Sequence, residues 1–439
     1  MSGYTGLYDQ CDQYWNTSAA KIYRISHKTA EAEAHGAEVV DENGRRFLDF
    51  ACSYGVFLLG HTHKQIVAAV TEQTLTLAMR PAGTRHPSAI ALWNALQPWL
   101  PPSMSGLHFA HTGSECSEMT LRLISHRSPD RRRIVVAENG YHGKTLAALD
   151  IMGQSGHSAL FGASPAEVVR VPYGDAESLN YAFQEPVAAL FLEPVLGGPF
   201  ITVPPAGYLQ MARDLCDTQD SLLVFDEIQT AFGRAGEMME CTTQGVSPDL
   251  LFLSKGLTGG CAAMACVVSH ERLSETIASL PEEFGNPRAG QPVACEAGVA
   301  AIRVIEEENL IQRARESGAY LRERLLAVTA PYPEIILDVP GKGLMTGVKC
   351  AHPGIELMLL MGMDKQNIHL GYSLNEAAAH PVLRFYPPLS VTREQIDRVA
   401  DALASVLAEV AARPAFMRRF MNWFTKHKYG FPDWLYKLA

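Results

Sequence analysis

The sequence predicts an α/β protein, with a large domain on a mostly parallel sheet and a smaller, discontinuous α+β domain. Three observations predict it. Short apolar runs alternate with amphipathic stretches between about positions 60 and 300, as expected for strands buried on both faces and joined by crossover helices. The chain has 439 residues, more than the roughly 250 to 300 that one core usually supports. After about position 305 the pattern changes to charged helices.

In order, the apolar runs are 107–110, 133–137, 168–171, 188–192, 222–225, 250–253 and 264–268. Each is bounded by turn residues and is too short for a helix. A helix is predicted over 118–125, a charged helix over 306–326, and another over 392–412. Residues 58–305 are read as the large domain. Residues 1–57 and 306–439 are read as the small one.

Hydrophobic residues make up 47% of the chain and charged ones 19%, enough apolar material for a large core and against disorder. The net charge of −10 disfavours nucleic-acid binding, since there is no cationic excess to displace counterions. Nine cysteines are scattered without a CxxC pair, which points to reduced thiols. The start Met1-Ser2-Gly3-Tyr4 lacks the features of a signal peptide, and no run reaches the ~18 apolar residues of a membrane span. A cytoplasmic location and no membrane association follow as expectations. The tail from Pro414 to Ala439 carries Phe416, Phe420, Trp423, Phe424, Tyr429, Trp434 and Tyr436 among basic residues. It is expected to pack on the body or on a partner subunit, with a membrane-surface helix as the other reading.

Thr112, Tyr141, Glu193, Asp226 and Lys255 each follow an apolar run. Active groups in parallel sheets gather beyond the carboxyl ends of the strands, so one crevice can collect all five. An amine and a carboxylate at the ends of two buried strands suit pyridoxal phosphate: Lys255 to form a Schiff base with its aldehyde, Asp226 to keep the ring nitrogen protonated. Taken singly, a lysine after an apolar strand is usually a solvated loop residue. Thr112-Gly113-Ser114 precedes a predicted helix and offers backbone N–H groups and a small hydroxyl at a positive helix end, with Ser114 expected as helix cap and phosphate anchor together. Gly143-Lys144-Thr145 has Glu138 where a nucleotide-binding loop needs its first glycine. His61 with His63, and His108 with His111, lack a carboxylate or cysteine at ligand spacing. Neither ATP nor a metal is expected.

Val224-Phe225-Asp226-Glu227-Ile228-Gln229-Thr230-Ala231-Phe232-Gly233-Arg234 and Leu253-Ser254-Lys255-Gly256, with the aspartate and lysine 29 positions apart, closely resemble the class III aminotransferases. That group includes the ornithine, acetylornithine, omega-amino acid and glutamate-1-semialdehyde enzymes. Phe109-Ala110-His111-Thr112-Gly113-Ser114-Glu115, Tyr141-His142-Gly143, Glu193-Pro194-Val195-Leu196-Gly197-Gly198 and Leu383-Arg384-Phe385-Tyr386-Pro387-Pro388 carry the likeness across about positions 37 to 405.

The resemblance implies pyridoxal 5'-phosphate as cofactor, its fold type I (aspartate aminotransferase-like) and a homodimer. It implies Lys255 as the Schiff-base lysine and proton carrier, Asp226 at the ring nitrogen and Gln229 at the ring hydroxyl. Tyr141 and Ile228 would sandwich the ring, with His142 adjoining, while Gly113 and Ser114 hold the phosphate. Tyr54 would line the substrate pocket and Arg384 grip a substrate carboxylate. Read alone, Arg384 serves equally as a domain-interface ion pair.

Two departures stand out. Pro287 occupies the place of a threonine that reaches the partner's phosphate, and proline offers neither hydroxyl nor N–H; Asn286 or Arg288 is expected to take over. Gly198 stands where ornithine-type members have a glutamate, so omega-transaminase and aminomutase-like members fit better. The expected activity is ping-pong transamination through pyridoxamine phosphate, between an amine or amino acid and a carbonyl acceptor. The alternative is an aminomutase, epimerase or decarboxylase using the same cofactor.

Overall fold

The computed structural model describes residues 30–81, 83–153, 166–198, 200–373 and 378–427. Cys11 and, in the tail, Tyr429, Trp434 and Tyr436 lie outside them. Its strands are β1 (Glu31–His35), β2 (Glu38–Asp41), β3 (Arg46–Phe50), β4 (Met104–Ala110), β5 (Arg133–Ala137), β6 (Glu167–Val171), β7 (Val187–Leu192), β8 (Leu222–Asp226), β9 (Leu250–Leu253), β10 (Ala265–His270), β11 (Ile336–Asp338), β12 (Gly341–Lys342), β13 (Met345–Cys350), β14 (Ile368–Leu370) and β15 (Val382–Phe385). The helices of ten or more residues are α1 (Lys64–Leu77), α2 (Pro87–Leu96), α3 (Gly113–Arg127), α4 (Tyr208–Gln219), α5 (Pro292–Glu307), α6 (Leu310–Thr329), α7 (Pro353–Lys365), α8 (Arg393–Ala412) and α9 (Ala415–His427).

Seven strands form the central sheet in the order β4-β10-β9-β8-β7-β5-β6. Strands β9, β8, β7, β5 and β6 pair in parallel, and only β10 runs against its neighbours β4 and β9. Every residue of β7, β8 and β9 is buried, which is why these strands read as unbroken apolar runs and not as alternation. The carboxyl ends of β4, β5, β7, β8 and β9 therefore share one edge.

Two smaller sheets flank it. Strand β14 adds parallel to β3 in the sheet β1-β2-β3-β14, so chain from before position 51 meets chain from after 367. The other joins β11, β13 and β12, with β15 paired to β13. Among the described residues no helix is long and apolar enough to cross a membrane.

Two helix expectations need correction. The helix expected over 118–125 begins at Gly113, and its cap is Thr112 rather than the expected Ser114, because Thr112 accepts from Glu115 N and Glu115 accepts from Thr112 N; this reciprocal capping box starts a helix before its apolar stripe begins. The charged helix expected over 306–326 is the meeting of α5 and α6, broken at Asn309, whose left-handed backbone (φ 50°) turns the chain.

Helix α6 packs closely on the turn after β12. A Cβ at Gly318 would lie 2.2 Å from Gly343 O. Helix propensity alone favours alanine over glycine by ~1 kcal/mol, but overpacking against fixed backbone costs ~1–3 kcal/mol. Gly318→Ala is therefore expected to lower the thermal midpoint by a few degrees, and a variant melting higher than wild type would remove this contact as a constraint.

Candidate active site

The site forms where the central strands end. Asp226 is the last residue of β8 and is buried. Its carboxylate is held on both sides: Ile228 N donates to Oδ1 (3.1 Å) and His142 Nδ1 to Oδ2 (3.0 Å). The His142 side chain is wholly buried, and its Nε2 has no partner among the described residues. Burial favours a neutral ring, but the hydrogen bond and charge of Asp226 outweigh it, and the His142 pKa is raised.

Lys255 lies two residues beyond the end of β9, with a left-handed backbone (φ 43°). It is half-buried, keeping contact with a cavity of about 370 Å³. The protein packed around its amine disfavours the ammonium and brings it down to about 8; Asp226 and Glu193 oppose this, and Arg384 and Arg234 assist it. Glu193, just beyond β7, accepts from Tyr141 N (3.0 Å) and Gly197 N (2.9 Å). Burial, then the charge of Asp226, pushes its carboxyl up to about 7.

Gly113, Ser114, Tyr141, His142, Ile228 and Gln229 line the same cavity as Asp226 and Lys255. The fit is close. A Cβ on Gly113 would stand 2.3 Å from Ile228 Cδ1, and one on Gly143 2.5 Å from Ser114 Oγ. Ser114 Oγ also accepts from Lys144 N (3.1 Å), which ties the start of α3 to the Tyr141 loop.

Tyr54 and Arg384 form an adjoining wall and do not line that cavity. Arg384, on β15, is buried. Its guanidinium donates to Gly198 O and Tyr372 O and lies 4.5 Å above the Tyr54 ring. No carboxylate pairs with it among the described residues. The ion-pair reading of Arg384 is thus not what this backbone provides.

Asn286 and Arg288 stay outside the cavity within one chain. Asn286 Nδ2 donates to Glu115 Oε1 (3.1 Å), its Oδ1 accepts from Arg288 N, and the Arg288 side chain is exposed.

Sequence reasoning gave no role to Arg234, although it lies in the Asp226 motif. It is fully buried, donates to Leu344 O (3.0 Å) and Pro387 O (2.6 Å), and burial lowers its pKa to about 10. A lone arginine after a glycine carries no sequence signal of such burial.

The sequence profile of the family described as Aminotransferase class-III matches residues 22–407. The chain belongs to the class III aminotransferases. The acetylornithine aminotransferase of Mycobacterium tuberculosis is 34% identical over 395 residues, 88% of this chain and 93% of that protein. The [LysW]-aminoadipate semialdehyde transaminase of Deinococcus radiodurans is 33% identical over 390 residues, covering 88% of each. Among solved structures, an ornithine aminotransferase from Toxoplasma gondii, described with partial occupancy of pyridoxal phosphate at its active site, superposes with a TM-score of 0.80 at 26% identity. The match covers 89% of this chain and 92% of that one.

This aminotransferase therefore uses pyridoxal 5'-phosphate, and its residues fit the cofactor: an amine, a carboxylate fixed by two hydrogen bonds, and a glycine–serine turn at a helix start, all on one cavity. Deprotonation near 8 rather than the ordinary 10.5 sets a test. Apo-enzyme mixed with pyridoxal phosphate is expected to capture it covalently at a rate that climbs with pH through about 8 and then levels. Stopped-flow absorbance reads this, and a rate still climbing toward pH 10 would show a solvent-exposed amine.

Proposed function

We propose that this aminotransferase moves an amino group between an amine or amino acid donor and a carbonyl acceptor, at least one of which carries a carboxylate that Arg384 binds. The observation that carries the substrate class is Arg384 itself: a buried guanidinium whose partners are backbone carbonyls and an aromatic ring. Such a group has no anionic partner among the described residues, and a bidentate substrate carboxylate would supply one.

Gly198 supports this reading. Its backbone is left-handed (φ 51°), and a Cβ there would stand 2.9 Å from Asn139 O. A glutamate at this position would be strained, and among the described residues no carboxylate pairs with Arg384. This favours omega-transaminase-like handling of substrates over the ornithine type.

Pyridoxal phosphate, when bound, supplies an electron sink for the bond broken at the substrate carbon. Asp226 would keep its ring nitrogen protonated, with His142 holding that carboxylate in place. Lys255 Nζ would hold the cofactor through its aldehyde and would serve as the base for the proton at the substrate carbon. Tyr141, Ile228 and Gln229 would hold the ring, and Gly113 with Ser114 would hold the phosphate.

Residues 58–305 would act as the cofactor domain, and 1–57 with 306–439 as the domain that brings Arg384 and Tyr54. A homodimer would let Asn286 and Arg288 of each chain reach the neighbouring phosphate, which fits their absence from the lining of their own cavity. Free thiols at all eight described cysteines suit a cytoplasmic setting.

The deciding experiment is a panel of amino donors added to the holoenzyme, followed by cofactor absorbance and product analysis. Transamination is expected to bleach the absorbance with release of an oxo product. Isomerised product without an oxo compound would favour the aminomutase reading instead.

Asp226→Asn is expected to slow turnover at least a hundredfold, since losing a charge-assisted contact in a closed site costs ~3 kcal/mol. Near-normal turnover with full cofactor occupancy would remove Asp226 from the role. Arg288→Ala is expected to weaken cofactor affinity roughly tenfold, more than Asn286→Ala does. Titration of both apo-variants decides it, and sedimentation of an active monomer would exclude the shared site.

A further inference from the structure

Between β3 and the site the chain makes an unusual turn. Cys52 (φ 41°), Ser53 (φ 47°), Tyr54 (φ 57°) and Gly55 (φ 99°) are all left-handed. Single non-glycine residues visit this region at a steric cost, and consecutive ones rarely do. Something must hold the turn against relaxation.

The hydrogen bonds identify what holds it. Asp49 Oδ1 accepts from both Ala51 N and Cys52 N (2.9 Å each), the two amides that lead into the turn. Its other oxygen accepts from His61 Nε2 at 2.8 Å, with both side chains 8% exposed. His61 is fixed in turn: its backbone exchanges hydrogen bonds with Gly36 (2.8 and 3.0 Å), and its ring lies 4.0 Å from that of Phe57. Burial alone would push the Asp49 carboxyl up, but His61 and the two amides outweigh it and hold it below its ordinary value.

The turn reaches two parts of the site at once. Tyr54 Oη donates to Tyr372 O (3.0 Å), the carbonyl that also accepts from Arg384, and the Tyr54 ring lies beneath that guanidinium. At Gly55 a Cβ would stand 4.0 Å from both Lys255 Cδ and Arg234 Nε.

We propose that Asp49 and His61 are a positioning pair for substrate binding: through the amides of residues 51 and 52 they hold the left-handed turn that keeps Tyr54 under Arg384. The pair touches neither cofactor nor substrate. The proposal rests on the reading of Arg384 as the carboxylate site, so the test must separate the two.

The probe is glutarate, a dicarboxylate with no carbonyl to aminate, titrated into holoenzyme by calorimetry. Arg384→Met is the control for the underlying reading and is expected to abolish measurable binding. His61→Asn is expected to weaken glutarate roughly tenfold or more, with cofactor affinity and absorbance unchanged. Asp49→Asn, which keeps side-chain size, is expected to do the same and serves should His61→Asn not fold. Ser53 is exposed, so Ser53→Gly removes a left-handed penalty without loss of packing. Added to His61→Asn, it is expected to restore much of the glutarate affinity, which a merely structural defect would not allow.

Wild-type glutarate binding in both pair variants, or a loss of cofactor and glutarate together that Ser53→Gly does not repair, would overturn the positioning role while leaving Arg384 its function. Undiminished binding in Arg384→Met, or no glutarate binding by wild type, would overturn the carboxylate reading and this proposal with it.

Discussion

Packing an amine among protein atoms at the edge of a cavity is the constraint around which this site is arranged. Lys255 is surrounded tightly enough to bring its amine down to about 8, yet it faces a cavity. Asp226 and Glu193 limit the cost of its charge, while Arg384 and Arg234 push the other way. The balance requires each of these groups to be fixed, because charges inside protein are screened far less than in water. The fixing is done largely by backbone: Ile228 N on Asp226, Tyr141 N and Gly197 N on Glu193, and carbonyls on both arginines.

Glu193 and Asp226 illustrate how one strand edge gives two acids different tasks. Glu193 binds the backbone of residues 141 and 197, and burial brings its carboxyl up to about 7, so it titrates where enzymes work. Asp226 has His142 behind it, a ring whose proton affinity is raised by that contact. The pair His142–Asp226 thus extends a hydrogen-bonded line toward the cavity, ending at His142 Nε2, which has no partner among the described residues.

Much of this was legible in the chain. The central strands β5 and β9 were readable residue by residue, because burial on both faces leaves apolar side chains between turns, Arg133 at the start of β5 excepted. Lys255 and Asp226 were readable because strand ends in a parallel sheet share an edge. What escaped depends on partners without a side-chain signature. Arg384 is held by carbonyls 186 and 12 positions away, and any residue type could supply those. His61 was weighed against metal-ligand spacing, whereas its partner Asp49 lies 12 positions earlier, across a turn whose handedness no pattern announces. The α3 start was written in Thr112 and Glu115 but concealed by an apolar stripe that begins later.

The left-handed residues suggest why the substrate side resists reading from side chains. Lys255 and the run Cys52, Ser53 and Tyr54 all carry positive φ without being glycine; Lys255 lines the cavity and the Tyr54 ring lies against Arg384. Strain of this kind persists only where the surroundings over-determine it. Gly198 completes the arrangement from the opposite side: its left-handed backbone turns its own carbonyl toward Arg384 and leaves no room for a side chain beside Asn139 O. Changing that residue to an acid would alter the backbone before it altered the charge. If Arg384 binds a substrate carboxylate as proposed, selectivity for it would be a property of main-chain conformation, with Arg384 as the side chain that reports it.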